Sequence, residues 1–460
     1  FYGGHHYDQS LPAAKLLASN LEKLGFGVLP VFCSDLRYYL AIERFFFKDG
    51  RPLVKAAIDL LWFRLAGGPI GGDHRLTLSV LGKLKAPMLH GVHLSSLTID
   101  EWEKSQAGIP PIEMVTTVVL PELDGRIEPH VTHAPRKVKH KGIVLEEYGA
   151  IEDRVEKLAK RAAKWVSLKL KPSREKRVAI ILYNYPPGEE NLGKVAYLNV
   201  FESLHSLLSK MKEHGYMVDR IPAGAELKDL LLKSGAVNSG EWTLTPRAIA
   251  KLPKVHASKY LKWFSKLPED LQRRIKNVWG EPPGDIMVYE GSILIPGITL
   301  GNVFIGVQPS RGVHEDPTKI YHKRDLPPHH QYVAFYKWIA EEFKADAIIH
   351  FGTHGTLEFL PGKDAGLSSK CFPDILIGDL PNIYIYHVVN ASEAAIAKHR
   401  SYAVIVNHSS PPITTGGVHS FLEELERLLN QYYEALQYDE ARASQLASKA
   451  LSIAKQHGLG

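Results

Sequence analysis

The run from Ala345 to Lys363 constrains the fold more than any other stretch of the chain. Ala347, Ile348 and Ile349 form a short apolar, β-branched run of the kind that fills a buried parallel strand. The second half of the run reads as loop. Gly352, Gly355 and Gly362 permit tight or left-handed backbone, and His350, His354 and Glu358 bring two imidazoles and a carboxylate within nine residues. In an open α/β sheet, ligands bind where a strand's carboxyl end meets its loop.

The spacing of His350, His354 and Glu358 would align all three on one face of a helix, but two glycines inside the segment argue against a full helix. The sequence predicts instead a strand-to-loop turn, with any helix starting near Thr356. The residue types suit two chemistries, binding of a divalent metal such as cobalt or zinc by an N/O ligand set, or proton transfer near neutral pH. Polar loop residues that cap the strand are the plain alternative. His5, in the polar loop 3–8 after a strand stub, is a further candidate metal ligand.

Periodicity predicts an α/β fold: repeated doubly wound parallel-sheet domains with a mostly helical insertion and a helical C-terminal tail. Residues 1–135 read as a first α/β domain, with a helix at 11–24 stopped by Gly25 and strands at 27–32, 57–63 and 86–92. Residues 136–173 read as a basic linker and bridging helix. A second α/β domain starts at 174–222, where a helix, Gly215, an aromatic residue and an expected strand at 215–221 repeat the pattern of 25–32. Residues 223–284 predict a helical insertion. The remainder of the second domain, 285–418, resumes with a strand at 285–289 and carries the His/Glu site, and 419–460 form the tail.

Composition excludes several classes. Cys33 and Cys371 are the only cysteines and lie far apart, which supports neither a disulfide framework nor a thiolate zinc site. No run approaches the roughly 18 to 20 apolar residues that cross a bilayer, so the expectation is a cytoplasmic protein with no membrane span. A net charge of +6 over 460 residues, with no arginines interleaved among aromatics, argues against nucleic acid. Gly188 to Val195 fits the phosphate-loop pattern, but Val195 stands where a magnesium-binding hydroxyl is needed and Glu189 and Glu190 would repel phosphate. The chain opens on Phe1 as though within a strand, which suggests a fragment.

Ordered blocks at Gly301 to Gly312, Leu326 to Tyr332, the histidine run, Ser392 to Ala394 and Ala397 to Ala403 resemble one family closely. It is the large porphyrin-binding subunit of the ATP-dependent metal chelatases, comprising the cobaltochelatase large subunit and the magnesium chelatase H subunit. The resemblance implies insertion of cobalt into hydrogenobyrinic acid a,c-diamide in cobalamin biosynthesis. Its alternatives are magnesium insertion into protoporphyrin IX, a non-catalytic tetrapyrrole-binding module, and a zinc hydrolase. Tetrapyrrole and divalent metal would be substrates, and ATP would be used by a partner AAA+ ATPase subunit working with an adaptor subunit. His350, His354 and Glu358 would bind metal or accept pyrrole protons. Arg311, Lys363, Gln308 and His329 would bind the ring and its carboxylates. At His5 the family's preceding arginine is replaced by glycine.

Overall fold

The structure, a computed structural model, describes residues 7–34, 37–67, 72–184, 191–193, 195, 198–235, 245–312, 325–352, 355–386, 391–407, 420–436 and 439–457. His5, His354, the cluster His314, Glu315 and Asp316, and most of the phosphate-loop run 188–195 lie outside the described residues. Two sheets organise the unit Phe1–His408.

The first sheet contains β1 (Ala57–Asp59), β2 (Met88–His93), β3 (Ile127–His140) and β4 (Ile143–Ala150), in that order. β1 to β3 are parallel, and β4 returns antiparallel to β3. Lys141 and Gly142 close this hairpin with φ of 49° and 84°, the two positive values that a primed two-residue turn requires. The basic run expected as a linker is therefore the outer half of β3, paired along its length with β4. Helices α1 (Tyr7–Lys23) and α2 (Glu152–Leu170) cover one sheet face. Val155, Leu158, Ala159 and Ala162 recur along α2 at steps of three and four, and this stripe packs with Ala13, Leu17, Leu60 and Leu89. The expected bridging helix thus belongs to the first sheet.

The second sheet contains β5 (Val178–Leu182), β6 (Gly297–Leu300), β7 (Val303–Val307), β8 (Ala347–Gly352), β9 (Asn382–Tyr386) and β10 (Ala403–Val406). Their spatial order is β6, β7, β5, β8, β9, β10, with only β6 antiparallel to its neighbour. β5 is thus flanked by β7 on one side and β8 on the other. The chain leaves β5 in one direction and later returns on its opposite side, which creates a topological switch point at the carboxyl ends of β7, β5 and β8. Helix α3 (Val200–Glu213) covers one face through Val200, Leu204 and Leu208. Helix α4 (His330–Glu341) covers the other with Val333, Phe335 and Ile339. Each such side chain contributes about 1.5–3 kcal/mol on leaving water.

Three expected strands are not strands of these sheets. Among the described residues, 27–32 and 215–221 belong to none of the named strands, and Pro30 lacks the N–H that a ladder would use. Their shared signature is a helix cap. Gly25 and Gly215 sit at φ of 86° and 81°, and the following aromatics, Phe26 and Tyr216, donate their N–H groups to Leu21 O and Met211 O. This is the double hydrogen bond of a Schellman motif, which satisfies the last helical carbonyls. Residues 285–289 supply only Val288–Tyr289, paired in a small antiparallel sheet with Ser292–Leu294, which also pairs with Lys254–His256. Met287 and Glu290 take positive φ there and turn the chain too tightly for a longer strand. In the expected helical insertion, Tyr260, Trp263, Phe264, Leu271 and Ile275 share the core of α4.

The second unit, Ser409–Gly460, contains two helices, Ser420–Ala435 and Glu440–Gln456, where one long tail was expected. The Asp439 side chain accepts from the Arg442 N–H and starts the second helix afresh.

Candidate functional site

The loops leaving β7 and β8 meet at the switch point. Gln308, the first residue after β7, donates from Nε2 to Tyr336 Oη at 2.6 Å. Its Oε1 accepts from the Thr356 N–H at 2.8 Å and from Thr356 Oγ1 at 3.1 Å. The Thr356 hydroxyl lies 2.8 Å from the Tyr332 hydroxyl. Tyr332 and Tyr336 lie four residues apart on α4, so both phenols point into the same cluster. Gly355 makes this approach possible, because a Cβ there would lie 2.9 Å from Tyr384 Oη and 3.0 Å from Gln308 Oε1.

His350 occupies the inner wall. Its Nε2 lies 3.0 Å from Tyr336 Oη and its Nδ1 lies 2.7 Å from Asn382 Oδ1. Asn382 Nδ2 donates to Ser401 O at 2.8 Å, which orients the amide oxygen toward the imidazole. His350 is therefore protonated on Nδ1 and accepts at Nε2 from Tyr336. Burial pushes its pKa down, against the opposing pulls of Asn382 and Glu358. Both ring nitrogens are engaged within the chain, which fixes the orientation of the imidazole.

Glu358 lies in a short 3-10 turn, Leu357–Phe359, close to where a helix was expected to start. Its Oε1 accepts from the Gly355 N–H at 3.1 Å and from Tyr384 Oη at 3.2 Å. The side chain is only 1% exposed, yet Oε2 has no hydrogen-bond partner among the described residues. Nearby, Tyr386 Oη is likewise buried without a partner among them. Burial raises the Tyr386 pKa, and the charges of Glu393 and Glu358 add to the shift, so it is a protonated phenol. A buried carboxylate oxygen without a partner costs about 1–3 kcal/mol or more, and such an atom calls for a functional account.

The other candidates divide. Arg311 is buried in the loop after β7, beside Ser310, whose carbonyl accepts from His329 Nε2 at 2.8 Å. His329 Nδ1 in turn caps α4 by accepting from the Tyr332 N–H. Its ring holds the Arg311 loop against the start of α4. Lys363 is engaged within the chain: its ammonium donates to Trp102 O, Glu103 O and Ser105 O at 2.6, 2.9 and 2.5 Å. All three donors satisfy carbonyls at the C-terminal end of the helix Ile99–Lys104, so none remains for a ligand carboxylate. His330 is 2% exposed and bridges Tyr260 Oη and Gly280 O.

Among the described residues, no three His, Cys, Asp or Glu side chains gather as a metal site, and no helix is long and apolar enough to cross a membrane. An apolar cavity of about 700 Å³ lies away from these loops, between α1, α2 and β1, lined by Leu17, Ile42, Leu60 and Val166 among others. The sequence patterns above single out none of Tyr336, Tyr384, Tyr386 and Asn382 as site residues, and they give Thr356 only as a possible helix start. A signal for three of them was present: Asn382, Tyr384 and Tyr386 alternate along β9 and therefore share one face.

The whole sequence, residues 1–460, matches the family described as CobN/Magnesium Chelatase. The chain is 38% identical over 446 residues to the magnesium-chelatase subunit ChlH of Oryza sativa, a match that covers 95% of this chain and 31% of the relative. It is 38% identical over 368 residues to the aerobic cobaltochelatase subunit CobN of Pseudomonas aeruginosa, covering 78% of this chain and 29% of the relative. The catalytic subunit of cobaltochelatase from Mycobacterium tuberculosis superposes with a TM-score of 0.77 at 29% identity, over 100% of this chain and 38% of that one. The chain spans about a third of the length of these relatives. With a buried carboxylate at the switch point of the second sheet and this match along its whole length, the chain belongs to the CobN/magnesium chelatase family.

Proposed function

We propose that this chain forms part of the tetrapyrrole-binding large subunit of a cytoplasmic ATP-dependent chelatase that inserts cobalt into hydrogenobyrinic acid a,c-diamide. An AAA+ ATPase and an adaptor subunit supply the ATP-driven step. The observation that carries this reading is the unpartnered, buried Oε2 of Glu358, held by Gly355 and Tyr384. Insertion of a divalent cation into a neutral ring releases two protons, and such an oxygen is a proton acceptor or a ligand for the entering cation. His354, four residues before Glu358, is the second candidate for the metal, and His5 a third. Arg311 and Gln308, both on the loop after β7, would bind the ring as the resemblance to the chelatases implies, with Arg311 suited to a carboxylate. Tyr336, His350 and Asn382 hold the wall in one protonation state. Magnesium insertion into protoporphyrin IX is the second reading, supported by the equal identity to the ChlH relative.

The test is a Glu358→Gln large subunit reconstituted with its ATPase partners, with cobalt and magnesium run side by side. Ring affinity, read by fluorescence quenching, stays within about twofold, and insertion falls by about 10² to 10⁴ as expected for loss of a proton acceptor. Undiminished insertion by Glu358→Gln would remove the carboxylate from the mechanism.

A further inference from the structure

The two tyrosines at the end of β9 differ in what their hydroxyls do. Tyr384 and Tyr386 lie on the same face of the strand, with ring centroids 5.3 Å apart. The Tyr384 hydroxyl donates to Glu358 Oε1 at 3.2 Å. The Tyr386 ring shares a core with Ala394 and Ala397 of the helix Ala391–Ser401 and with Ala403 of β10, and the residue is 1% exposed. Its hydroxyl has no hydrogen-bond partner among the described residues.

Packing alone does not call for that hydroxyl. Phenylalanine would fill the same space without burying a polar atom, and a buried hydroxyl is destabilising unless something bonds to it. Tyr260, Tyr332, Tyr336 and Tyr402, buried to the same degree, all have partners. The strand opposite leaves room beside Tyr386, because its neighbour there is Gly352, the last residue of β8, which has no side chain to set against the phenol.

Glu358 Oε2, the other orphaned atom of the cluster, is its chemical complement. Burial raises the Tyr386 pKa, and the charges of Glu393 and Glu358 raise it further, so the phenol keeps its proton and offers an O–H. A carboxylate oxygen offers only lone pairs. The Glu358 charge acts on Tyr386, yet the two oxygens make no bond to each other. The strand ends thus hold one buried donor lacking an acceptor and one buried acceptor lacking a donor, too far apart to satisfy each other.

The core of a metal-free tetrapyrrole offers the missing pair side by side. A pyrrole-type N–H is a donor, and the imine-type nitrogen next to it carries a lone pair. A metallated ring offers neither, because its core nitrogens have given their lone pairs to the metal and no N–H is left.

We propose that Tyr386 is a specificity-determining residue that selects the metal-free ring: its O–H donates to an imine-type core nitrogen while Glu358 Oε2 accepts from the neighbouring N–H. The inference rests on the chelatase reading above. The paired bonds aim the N–H at the carboxylate that takes its proton, and metallation removes both, so the product is held less tightly than the substrate. The Tyr386 bond is given up before the metal takes that lone pair, so it serves ring binding and not the transition state. The amide oxygen of Glu358→Gln still accepts from the N–H, which keeps ring affinity in that variant.

The experiment titrates the full large subunit, parent and Tyr386→Phe, with hydrogenobyrinic acid a,c-diamide and with protoporphyrin IX. Each ring is used as the free base and as its copper complex, and binding is read by quenching of protein fluorescence. The parent is expected to bind a free base about tenfold or more tightly than its copper complex. Tyr386→Phe weakens the free base about threefold to tenfold, the worth of one hydrogen bond, and leaves the copper complex within about twofold. With the ATPase partners present, KM for the ring rises by the same factor while kcat stays within about threefold. Thermal unfolding without ring is unchanged or raised, because the hydroxyl removed had no partner. A Tyr386→Phe subunit with the parental preference, whether both affinities hold or both fall, overturns the role of Tyr386 and leaves that of Glu358 standing. A parent that binds the free base and the copper complex of each ring alike overturns it too, and this comparison decides if Tyr386→Phe fails to fold. A parent that binds neither form of either ring overturns the chelatase reading, and this inference with it.

Discussion

Replacing Asp374 with Asn tests the link between the two sheets. Asp374 Oδ1 accepts from Arg154 of α2 at 3.0 Å and from Tyr402 Oη at 2.6 Å, while Oδ2 lies 3.6 Å from Lys157 Nζ. Tyr402 is itself held between the stacked ring of His130 at 4.3 Å and the Arg161 guanidinium at 4.7 Å. Burial alone would raise the Asp374 pKa, but Lys157 and Arg154 overcome it and bring the carboxyl down to about 2. The folded pKa is depressed, so the stabilisation is fully present above the unfolded value of 3.8 and is lost as pH falls toward 2. At about 1.36 kcal/mol per pKa unit it amounts to roughly 2 kcal/mol at pH 7, with about half gone at pH 3. Removing one partner of a buried pair costs about 3–5 kcal/mol, because Arg154 and Lys157 then lie together without their counter-charge. Urea unfolding of Asp374→Asn at pH 7 is therefore expected to show a loss of about 3 kcal/mol, shrinking toward pH 3. A difference from the parent that stays constant between pH 7 and 3 would refute the electrostatic account, and a loss under about 1 kcal/mol would refute the bracing role.

Three further outcomes are expected. Lys363→Met, which leaves three helix-end carbonyls without a cation, lowers stability by about 2–3 kcal/mol in thermal unfolding with ring affinity unchanged; a tenfold loss of ring affinity at full stability would return Lys363 to the binding site. Gly355→Ala pushes a methyl group against Tyr384 and Gln308 and is expected to lower insertion at least tenfold with the fold intact, checked by insertion assay alongside circular dichroism. His130 is buried with neither ring nitrogen hydrogen-bonded among the described residues, and burial lowers its pKa to about 4, so the unfolded chain takes up its proton first. Stability should fall by about 3 kcal/mol between pH 6.5 and 4, and His130→Phe should flatten that slope; an unchanged slope would count against His130 as its source.

Local signals carried the reading of most elements. In α2 the apolar stripe, and in β5, β7 and β8 the short β-rich apolar runs, state their own periodicity, so each is recognisable without its neighbours. The same locality misled at 25–32 and 215–221, where a glycine and an aromatic were read as the entry to a strand. The glycine and aromatic there close a helix, and a strand after them depends on a pairing partner distant in sequence, which no local pattern states.

The residues of the candidate site were partly legible in the same way. His350 and Glu358 stand out by type and spacing, and Gln308 and Arg311 by the blocks that resemble the chelatases. What these side chains do depends on groups distant in sequence: Tyr336 and Asn382 on either side of the His350 ring, Tyr384 on Glu358, and the carbonyls of Trp102, Glu103 and Ser105 on Lys363. The sequence by itself determined the α/β class, the family and the carboxylate at the strand end, because composition, periodicity and ordered motifs are properties of neighbours along the chain. Only the tertiary structure decided which histidine nitrogen carries a proton, which lysine is structural and which carboxylate oxygen is left without a partner. Those depend on burial and on hydrogen bonds between residues up to 261 positions apart, which no local pattern encodes.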